Sequence, residues 1–220
     1  MMRLFYAPTS PYVKKVLAVA IEAGVEDRIE LVSHDTTSED PDLRRLNPLQ
    51  RIPTLECEDG RVVFDSPVIC EYLDHLGNAD LFPPTGDSRW RALVDQALGD
   101  GIVDACQIWR KELQRPFSMR MDTILARQQR AVVCALESLE LVCRNWHRER
   151  ADIGTLAVGT ALDYLDLRFP QFCWRDHHPL LASWYEAFSG RASMTGTRLR
   201  TAEDGPGTFV LYQQRGRHVE

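Results

Sequence analysis

A Ser-Pro pair follows a short apolar run twice in the first 70 residues, and each pair precedes an amphipathic stretch. Ser10-Pro11 follows residues 4–7, and Ser66-Pro67 follows a second such run. Proline suits the first position of a helix, because its missing N–H would have no partner there. Serine just before it is a preferred N-cap. The sequence therefore predicts two places where a strand ends, a helix begins and free N–H groups can receive an anion.

The other patterns of the first 80 residues complete one recognisable element order. An alternating, β-branched run at 29–33 predicts a second strand, parallel to the first because a helix lies between the two. Residues 41–46 suit a helix of one or two turns. Two further runs flank Asp59-Gly60, a dipeptide typical of an antiparallel hairpin. The resulting order, βαβαββα, describes a thioredoxin-like domain.

The second half of the chain shows only helical patterns before its tail. Pro83-Pro84 lies in a stretch without periodicity, which predicts a linker. Ser88 is expected to cap a first long helix, and a second is expected at 118–148. The predicted fold class is thus α/β followed by an all-helical domain of five or six helices. The four predicted parts are a thioredoxin-like domain at 1–77, a linker at 78–87, a helical domain at 88–200 and an atypical tail at 201–220.

The composition is that of an ordinary globular protein, with 44% hydrophobic and 26% charged residues. The net charge is -6, whereas nucleic-acid-binding domains are usually basic, so a nucleic-acid partner is disfavoured. No apolar run reaches the length of about 18 residues that a membrane-spanning helix needs. The first residues also lack the apolar stretch of a secretory signal.

The cysteines and histidines indicate neither disulfides nor a metal site. No CxxC spacing occurs, and most of the cysteines lie in apolar stretches, so we expect reduced thiols and a cytoplasmic protein. His177-His178 has no accompanying ligand pattern, and we interpret it as the start of a helix before Pro179. The six cysteines are Cys57, Cys70, Cys106, Cys134, Cys143 and Cys173.

Three motifs of the first domain occur in the order and spacing of one known family. Residues 9–16 resemble the active-site motif of bacterial transferases that use serine, 47–55 resemble an NP…(V/I)PTL loop, and 65–73 resemble an (E/D)S…I..YL element. On these motifs, the chain resembles the cytosolic glutathione S-transferases of the bacterial serine type. The run 164–169 further resembles the YLDFR-like stretch of one bacterial subgroup.

The resemblance implies that the protein binds glutathione as co-substrate and stabilises its thiolate. Ser10 would donate a hydrogen bond to the sulfur, with Thr9 as the competing hydroxyl, although Ser10 is equally a plain N-cap by its position. The main chain of Ile52 would pair with the cysteinyl part of glutathione, as an added strand does. Pro53 follows directly, and the sequence leaves both isomers of its peptide bond open.

The ends of the tripeptide have their own expected partners. By the resemblance, Asp65 would contact the γ-glutamyl amine, and Ser66 at its helix start would bind the γ-glutamyl carboxylate. Arg51 or Gln50 would reach the glycyl end. Asp65 and Ser66 are also suited simply to cap their helix.

The family resemblance implies a pocket for the electrophile between the domains, walled by the first two long helices. The candidates in this chain are Gln107, Trp109, Arg110 and Phe117. Trp109 also continues an apolar stripe, which indicates packing in the core. Arg110 would suit an anionic substrate or the glutathione of a partner subunit.

Two further expectations concern the helices. Family members usually have a capping box in the central helix, formed by Ser or Thr and an acid three residues later. Here Thr155 is followed by Val158, so the reciprocal bond of a capping box is expected to be missing. Lys14 and Lys15 are expected on a solvated face of the first helix.

The function that the resemblance implies is that of a homodimeric, bacterial glutathione transferase active in detoxification, with no metal. It would react a small electrophile with glutathione, by conjugation or by thiolysis. One alternative is a non-catalytic module with the transferase fold, although retention of Ser10 and the glutathione motifs argues against it. The other is a glutathione-dependent disulfide or peroxide reductase, which the absence of cysteine at position 10 disfavours.

Overall fold

A computed structural model describes residues 1–34, 41–147 and 150–199 of the chain. The described residues form two compact units. The first contains Met1–Leu81 and the residues after Arg191, and the second is Phe82–Arg191. The domain boundaries at 77 and 88 remain a prediction. The predicted tail at 201–220 lies outside the described residues.

The first unit contains the predicted βαβαββα order around one four-stranded sheet. The sheet order is β2-β1-β3-β4, with β1 and β2 parallel and the other neighbours antiparallel. The thioredoxin-like fold class is therefore confirmed. The elements are β1 (Met2–Tyr6), α1 (Pro11–Glu22), β2 (Ile29–Ser33), α2 (Pro41–Leu46), β3 (Thr54–Glu56), β4 (Val62–Phe64) and α3 (Ser66–Gly77).

The register of the sheet brings three loop segments to one edge. Thr54, the first residue of β3, lies opposite Phe5 in β1 and opposite Phe64 in β4. Phe5, Thr54 and Phe64 thus form one row across three strands. Beyond this row, the chain continues from β1 toward Ser10 and from β4 toward Ser66, and it reaches β3 from Ile52. Both predicted Ser-Pro helix starts and the loop before β3 therefore lie at the same edge of the sheet.

The second unit is helical throughout its described residues, as the sequence predicts. Its first helix starts at Gly86 with Thr85 as N-cap, so the expectation that Ser88 caps it is wrong. The second helix covers only the middle of the predicted 118–148, because a 3-10 turn lies at each end. The helices are α4 (Gly86–Gln114), α5 (Asp122–Val142), α6 (Ile153–Arg168) and α7 (Pro179–Ser189).

A short helix after the second unit, α8 (Ala192–Thr195), contacts α1. The expectation that Lys14 and Lys15 form a solvated face is wrong, since each side chain is only 1% exposed. The Lys14 ammonium donates to the carbonyl oxygens of Met194 at 3.0 Å and Thr197 at 3.2 Å, and to the Thr197 hydroxyl at 3.3 Å. Three oxygens from the end of the described chain thus compensate one buried charge.

The central helix, α6, does have a capping box, contrary to the expectation from Thr155 and Val158. The helix begins at Ile153, so its N-cap is Asp152 and Thr155 is the third helical residue. The Thr155 N–H donates to the Asp152 carboxylate at 2.8 Å, and the Asp152 N–H donates to the Thr155 hydroxyl at 2.9 Å. The capping box therefore starts at residue 152 and not at residue 155. The acid is at the N-cap and the hydroxyl is on the third helical residue, which is the reverse of the expected arrangement.

Helices α4 and α6 lie very close together because two glycines face the neighbouring backbone. A Cβ on Gly99 would lie 2.6 Å from the backbone of Ala157, and a Cβ on Gly154 would lie 2.7 Å from the carbonyl oxygen of Ala92. Either position therefore tolerates only glycine without a shift of one helix. Since both contacts follow the same chain direction, the two helices run parallel, and their C-terminal ends are neighbours.

Candidate functional site

The strongest candidate site lies at the sheet edge of the first unit where α1 and α3 begin. The first N–H groups of a helix have no partner within the helix, and its N-terminus has a positive partial charge. Two such termini at one edge, beside the loop that precedes β3, form a place suited to an extended anionic ligand. Every residue expected to bind glutathione belongs to one of these three segments.

Ser10 is the N-cap of α1, as its position predicts. Its hydroxyl accepts a hydrogen bond from the Val13 N–H at 3.3 Å, and its side chain is half-buried. A hydroxyl has one donor and two acceptor lone pairs, so this bond leaves the O–H able to donate to a ligand. Capping and donation to a sulfur are therefore compatible roles. Thr9 lies outside the helix and is half-buried as well.

The main chain of Ile52 has the properties of an unpaired strand end. The Ile52–Pro53 peptide bond is cis. Within the described residues, neither the N–H nor the carbonyl of Ile52 forms a hydrogen bond. The side chain of Ile52 is half-buried, while Pro53 is buried. An extended peptide can therefore pair with this residue as a further strand.

A buried asparagine holds the loop that carries Ile52. The Asn47 amide donates to the carbonyl oxygen of Arg51 at 3.0 Å and to the hydroxyl of Thr54 at 2.9 Å. Its side-chain oxygen accepts from the Leu49 N–H at 2.9 Å. Asn47 and Thr54 are thus positioning residues that the sequence interpretation left without a role. Their signal was present, since both belong to the Asn-Pro…Pro-Thr motif.

Asp65 precedes α3 with an unusual backbone conformation. Its φ is 71°, a region that residues other than glycine adopt rarely and at a cost of about 1–3 kcal/mol. Asp65 occupies the N-cap position, but its carboxylate makes no capping bond and is exposed. Capping therefore does not explain this side chain. Ser66 next to it is buried, and its N–H is one of the unpaired groups at the helix start.

The two candidates for the glycyl end, Gln50 and Arg51, are exposed residues of the same loop. The Gln50 N–H donates to the Asn47 carbonyl at 2.9 Å, and Gln50 itself has a positive φ of 53°. The Arg51 guanidinium forms no ion pair within the described residues. Both side chains are therefore accessible to a ligand at this edge.

The four candidates for the electrophile pocket all lie in the second unit. Gln107 and Arg110 are half-buried on α4. Trp109 is 6% exposed and stacks on Phe169, with ring centroids 4.0 Å apart. Phe117 is 86% exposed and lies in the 3-10 turn after α4. The candidates therefore lie in different environments. Trp109 is packed in the interior of the unit, and Phe117 lies on its surface.

The thiols of the chain do not provide an obvious nucleophile. All six cysteines are free, and only Cys134 and Cys173 are exposed. Burial raises the pKa of the Cys106 thiol to about 12, so it stays protonated at neutral pH. Among the described residues, no group of histidine, cysteine and carboxylate side chains is arranged to hold a metal ion. None of the described helices is long and apolar enough to span a membrane.

Comparison with known proteins identifies the family of the chain. A family model for the glutathione S-transferase N-terminal domain matches residues 9–76, which contain all three motifs. YibF of Escherichia coli strain K12, described as an uncharacterized GST-like protein, is 30% identical over 199 residues. The match covers 89% of this chain and 98% of YibF. The chain belongs to the glutathione S-transferase family.

Solved structures of the glutathione S-transferase family have the same fold. A family member from Pseudomonas fluorescens Pf-5 with bound glutathione is 38% identical, with a TM-score of 0.86, and the match covers 91% of this chain and 100% of that one. A glutathione S-transferase from Methylobacillus flagellatus KT with glutathione bound is 33% identical, with a TM-score of 0.82. This match covers 90% of the present chain and 98% of the Methylobacillus chain. The family and the fold that the motifs predict are thereby confirmed.

Proposed function

We propose that this protein is a glutathione transferase, in which Ser10 stabilises the glutathione thiolate for attack on a small electrophile. The observation that carries the proposal is the unpaired main chain of Ile52 at the edge where α1 and α3 begin. Glutathione is an extended peptide with two carboxylates, and this edge offers a peptide-pairing residue between two anion-binding helix starts. Glutathione in the two bacterial relatives supports the same ligand here.

Each part of glutathione has a partner in this proposal. The cysteinyl part pairs with Ile52, so its sulfur is directed along the edge toward Ser10. The N–H and hydroxyl of Ser66 receive the γ-glutamyl carboxylate, and the exposed Asp65 carboxylate binds the γ-glutamyl amine. The glycyl carboxylate lies within the range of the flexible Arg51 side chain. The Asp65 carboxylate is available for this contact, because it makes no capping bond with its own helix.

The chemistry follows from the pKa of the thiol. A free thiol has a pKa of about 8.5, so most glutathione is protonated at neutral pH. A hydrogen bond from the Ser10 hydroxyl and the positive end of α1 both favour the charged form and lower that pKa. The thiol proton leaves to solvent, and the thiolate sulfur attacks the electrophile. Ser10 acts as a stabilising donor and does not take the proton.

Isothermal titration of the full chain with glutathione tests the binding step. We expect saturable binding with a dissociation constant below about 1 mM. Asp65→Asn should weaken it by about 10- to 100-fold, because it removes a charge-assisted bond but keeps the shape and tolerates the positive φ. Asp27→Asn is the control, since this exposed residue precedes β2 at the opposite edge of the sheet. No heat of binding at millimolar glutathione would refute the proposal.

We further infer that the protein is a cytoplasmic homodimer of the bacterial serine-type subgroup with a role in detoxification. The homodimer has support in an apolar stripe on α4, where Trp90 is 66% and Val94 is 58% exposed. Ala97 and Gly101 continue the stripe at helical spacing and are exposed too. A soluble monomer rarely leaves such a continuous apolar face in water.

Trp90→Glu is expected to convert the dimer to a monomer, because it introduces a charge at the largest residue of the apolar stripe. Light scattering after size-exclusion chromatography measures the mass directly. Arg91→Glu is a matched control on the same turn of α4, at an exposed position outside the stripe. Wild-type protein that elutes at the monomer mass of 25.1 kDa would contradict the inferred dimer.

A further inference from the structure

The last two turns of α4 and of α6 each contain an arginine that follows or precedes an aromatic residue. The helices run parallel from the Gly99–Ala157 contact to the stacked rings of Trp109 and Phe169. Arg110 directly follows Trp109, and Arg168 directly precedes Phe169. Because these rings stack, the main chains at Arg110 and Arg168 lie on neighbouring helices, and both side chains are half-buried.

The charges of both arginines act on the buried Tyr164. The guanidinium carbon of Arg168 lies 5.8 Å from the ring centroid of Tyr164. Burial raises the pKa of the Tyr164 hydroxyl, and the charges of Arg168 and Arg110 act in the opposite direction. The positive field at this hydroxyl thus comes from α4 and α6 together.

Neither arginine has an anionic partner within the described residues. No ion pair from the described part of the chain reaches Arg110 or Arg168. Arg168 has the Tyr164 hydroxyl as a side-chain hydrogen-bond partner, but its Nε is fully buried and has no acceptor there. The indole Nε1 of Trp109 is likewise a buried donor without an acceptor there. Buried donors without acceptors are costly, so the Arg168 Nε and the Trp109 Nε1 favour a ligand that supplies the acceptors.

Neighbouring residues in the same unit show what a compensated arginine looks like. Arg175 donates from both of its terminal nitrogens to the Asp166 carboxylate, at 2.7 Å and 2.5 Å. The indole of Trp174 donates to the same carboxylate at 2.8 Å. An arginine and an indole around one carboxylate is the arrangement that Arg168 and Trp109 lack.

We propose that Arg110, Arg168 and the Trp109 indole form a carboxylate-binding site in the second unit, and that this site selects electrophiles that carry a carboxylate. The planar guanidinium fork matches a carboxylate with two parallel hydrogen bonds, and a neutral group gains far less from it. All three residues of the proposed carboxylate site lie in the second unit. Its assignment to the electrophile rests on the proposed transferase function.

An α,β-unsaturated carboxylate is the simplest electrophile of this class. The thiolate sulfur forms a bond to the β-carbon, and the electron pair of the carbon–carbon double bond moves to the α-carbon. That carbon then takes a proton from water, and no group leaves. The product is a thioether with the carboxylate intact, and the step requires no oxidant, reductant or further co-reactant.

Binding of sodium cinnamate and of cinnamamide to the full chain, without glutathione, tests the site itself by isothermal titration. The two compounds differ in the carboxylate, and cinnamate should bind about 10- to 100-fold more tightly. The double substitution Arg110→Gln, Arg168→Gln should abolish this difference, and Arg130→Gln, an exposed position on α5, should preserve it. Equal affinity of the wild type for both compounds overturns the proposal without any variant, as does a preference that persists in the double variant.

The reaction is tested separately with acrylate and acrylamide as electrophiles for glutathione. We expect the ratio of their kcat/KM values to fall by about 10- to 100-fold in the double variant. A cinnamate preference with no turnover of either electrophile supports the carboxylate site and contradicts the transferase function. If the kcat/KM ratio of acrylate to acrylamide is the same in the wild type and the double variant, the result supports the transferase function. The same result overturns electrophile selection by the carboxylate site.

Discussion

Ser10→Ala is expected to lower kcat for glutathione conjugation at neutral pH by about 100- to 1,000-fold, while glutathione binding stays largely intact. Losses of this size follow when one preorganised donor to an anion is removed. The backbone contacts of Ile52 and Ser66 are independent of the substituted side chain, so the tripeptide is still held. The measurement is steady-state kinetics beside titration calorimetry on the same preparations.

The double role of Ser10 requires a control, because its hydroxyl also caps α1. Loss of a serine cap to alanine costs about 1 kcal/mol of stability, whereas glycine at the same position costs only a few tenths. Ser10→Gly thus preserves the helix start but lacks the donor. If turnover depends on the hydroxyl as a donor to the sulfur, both Ser10→Ala and Ser10→Gly lose turnover. If turnover depends only on the helix cap, Ser10→Gly retains it.

The pKa of bound glutathione gives a direct readout of the same role. Thiolate absorbance in the ultraviolet, followed against pH, should give a pKa below about 8.5 in the wild type and a higher one in Ser10→Ala. Conjugation by the wild type should then persist to lower pH than conjugation by the variant. Identical thiol pKa values in the two proteins would contradict a thiolate-stabilising Ser10, and unchanged turnover would leave capping as its role.

Lys14→Met is expected to lower the free energy of unfolding by about 3 kcal/mol. The substitution keeps the length of the side chain but leaves the carbonyl oxygens of Met194 and Thr197 without their donor. Buried acceptors that lose a charged donor cost about 1–3 kcal/mol, and here several depend on one ammonium. Replacing a whole buried polar group by apolar residues can be neutral, but this variant removes only one side of the interaction.

Urea denaturation followed by circular dichroism measures the effect, with two controls that the chain itself offers. Lys111→Met, at an exposed position of α4, should change the stability by less than about 0.5 kcal/mol. Lys14→Arg keeps the charge and should retain most of the stability. Equal losses of stability in Lys14→Met and Lys111→Met would show that the contacts of Lys14 with Met194 and Thr197 contribute nothing to stability.

Local patterns predicted the elements of the first unit because the determining interactions are local. A serine, a proline and an apolar face within one turn were enough to locate the starts of α1 and α3. The same reasoning misplaced the capping box of α6, since Thr155 can act either as the N-cap or as the third residue of the helix. Only the actual start at Ile153 decides between these roles.

Other missed features depend on residues distant in sequence. Lys14 and Lys15 have the spacing of a helix surface, but α8 covers α1 from a segment about 180 residues later. The joint influence of Arg110 and Arg168 on Tyr164 depends on two helices that approach through glycines. No periodicity in the sequence contains this information.

The grouping of α8 with α1 has a consequence for biosynthesis. The first unit is discontinuous in the chain, with the entire second unit inserted between residues 81 and 192. The buried lysine of α1 can find its acceptors only after residues 194 and 197 have left the ribosome. Whereas N-terminal domains usually fold during synthesis, the helix that carries Ser10 is expected to reach its final packing only near the end of translation. A fragment that stops at residue 81 should accordingly be recovered in aggregates rather than as an isolated domain.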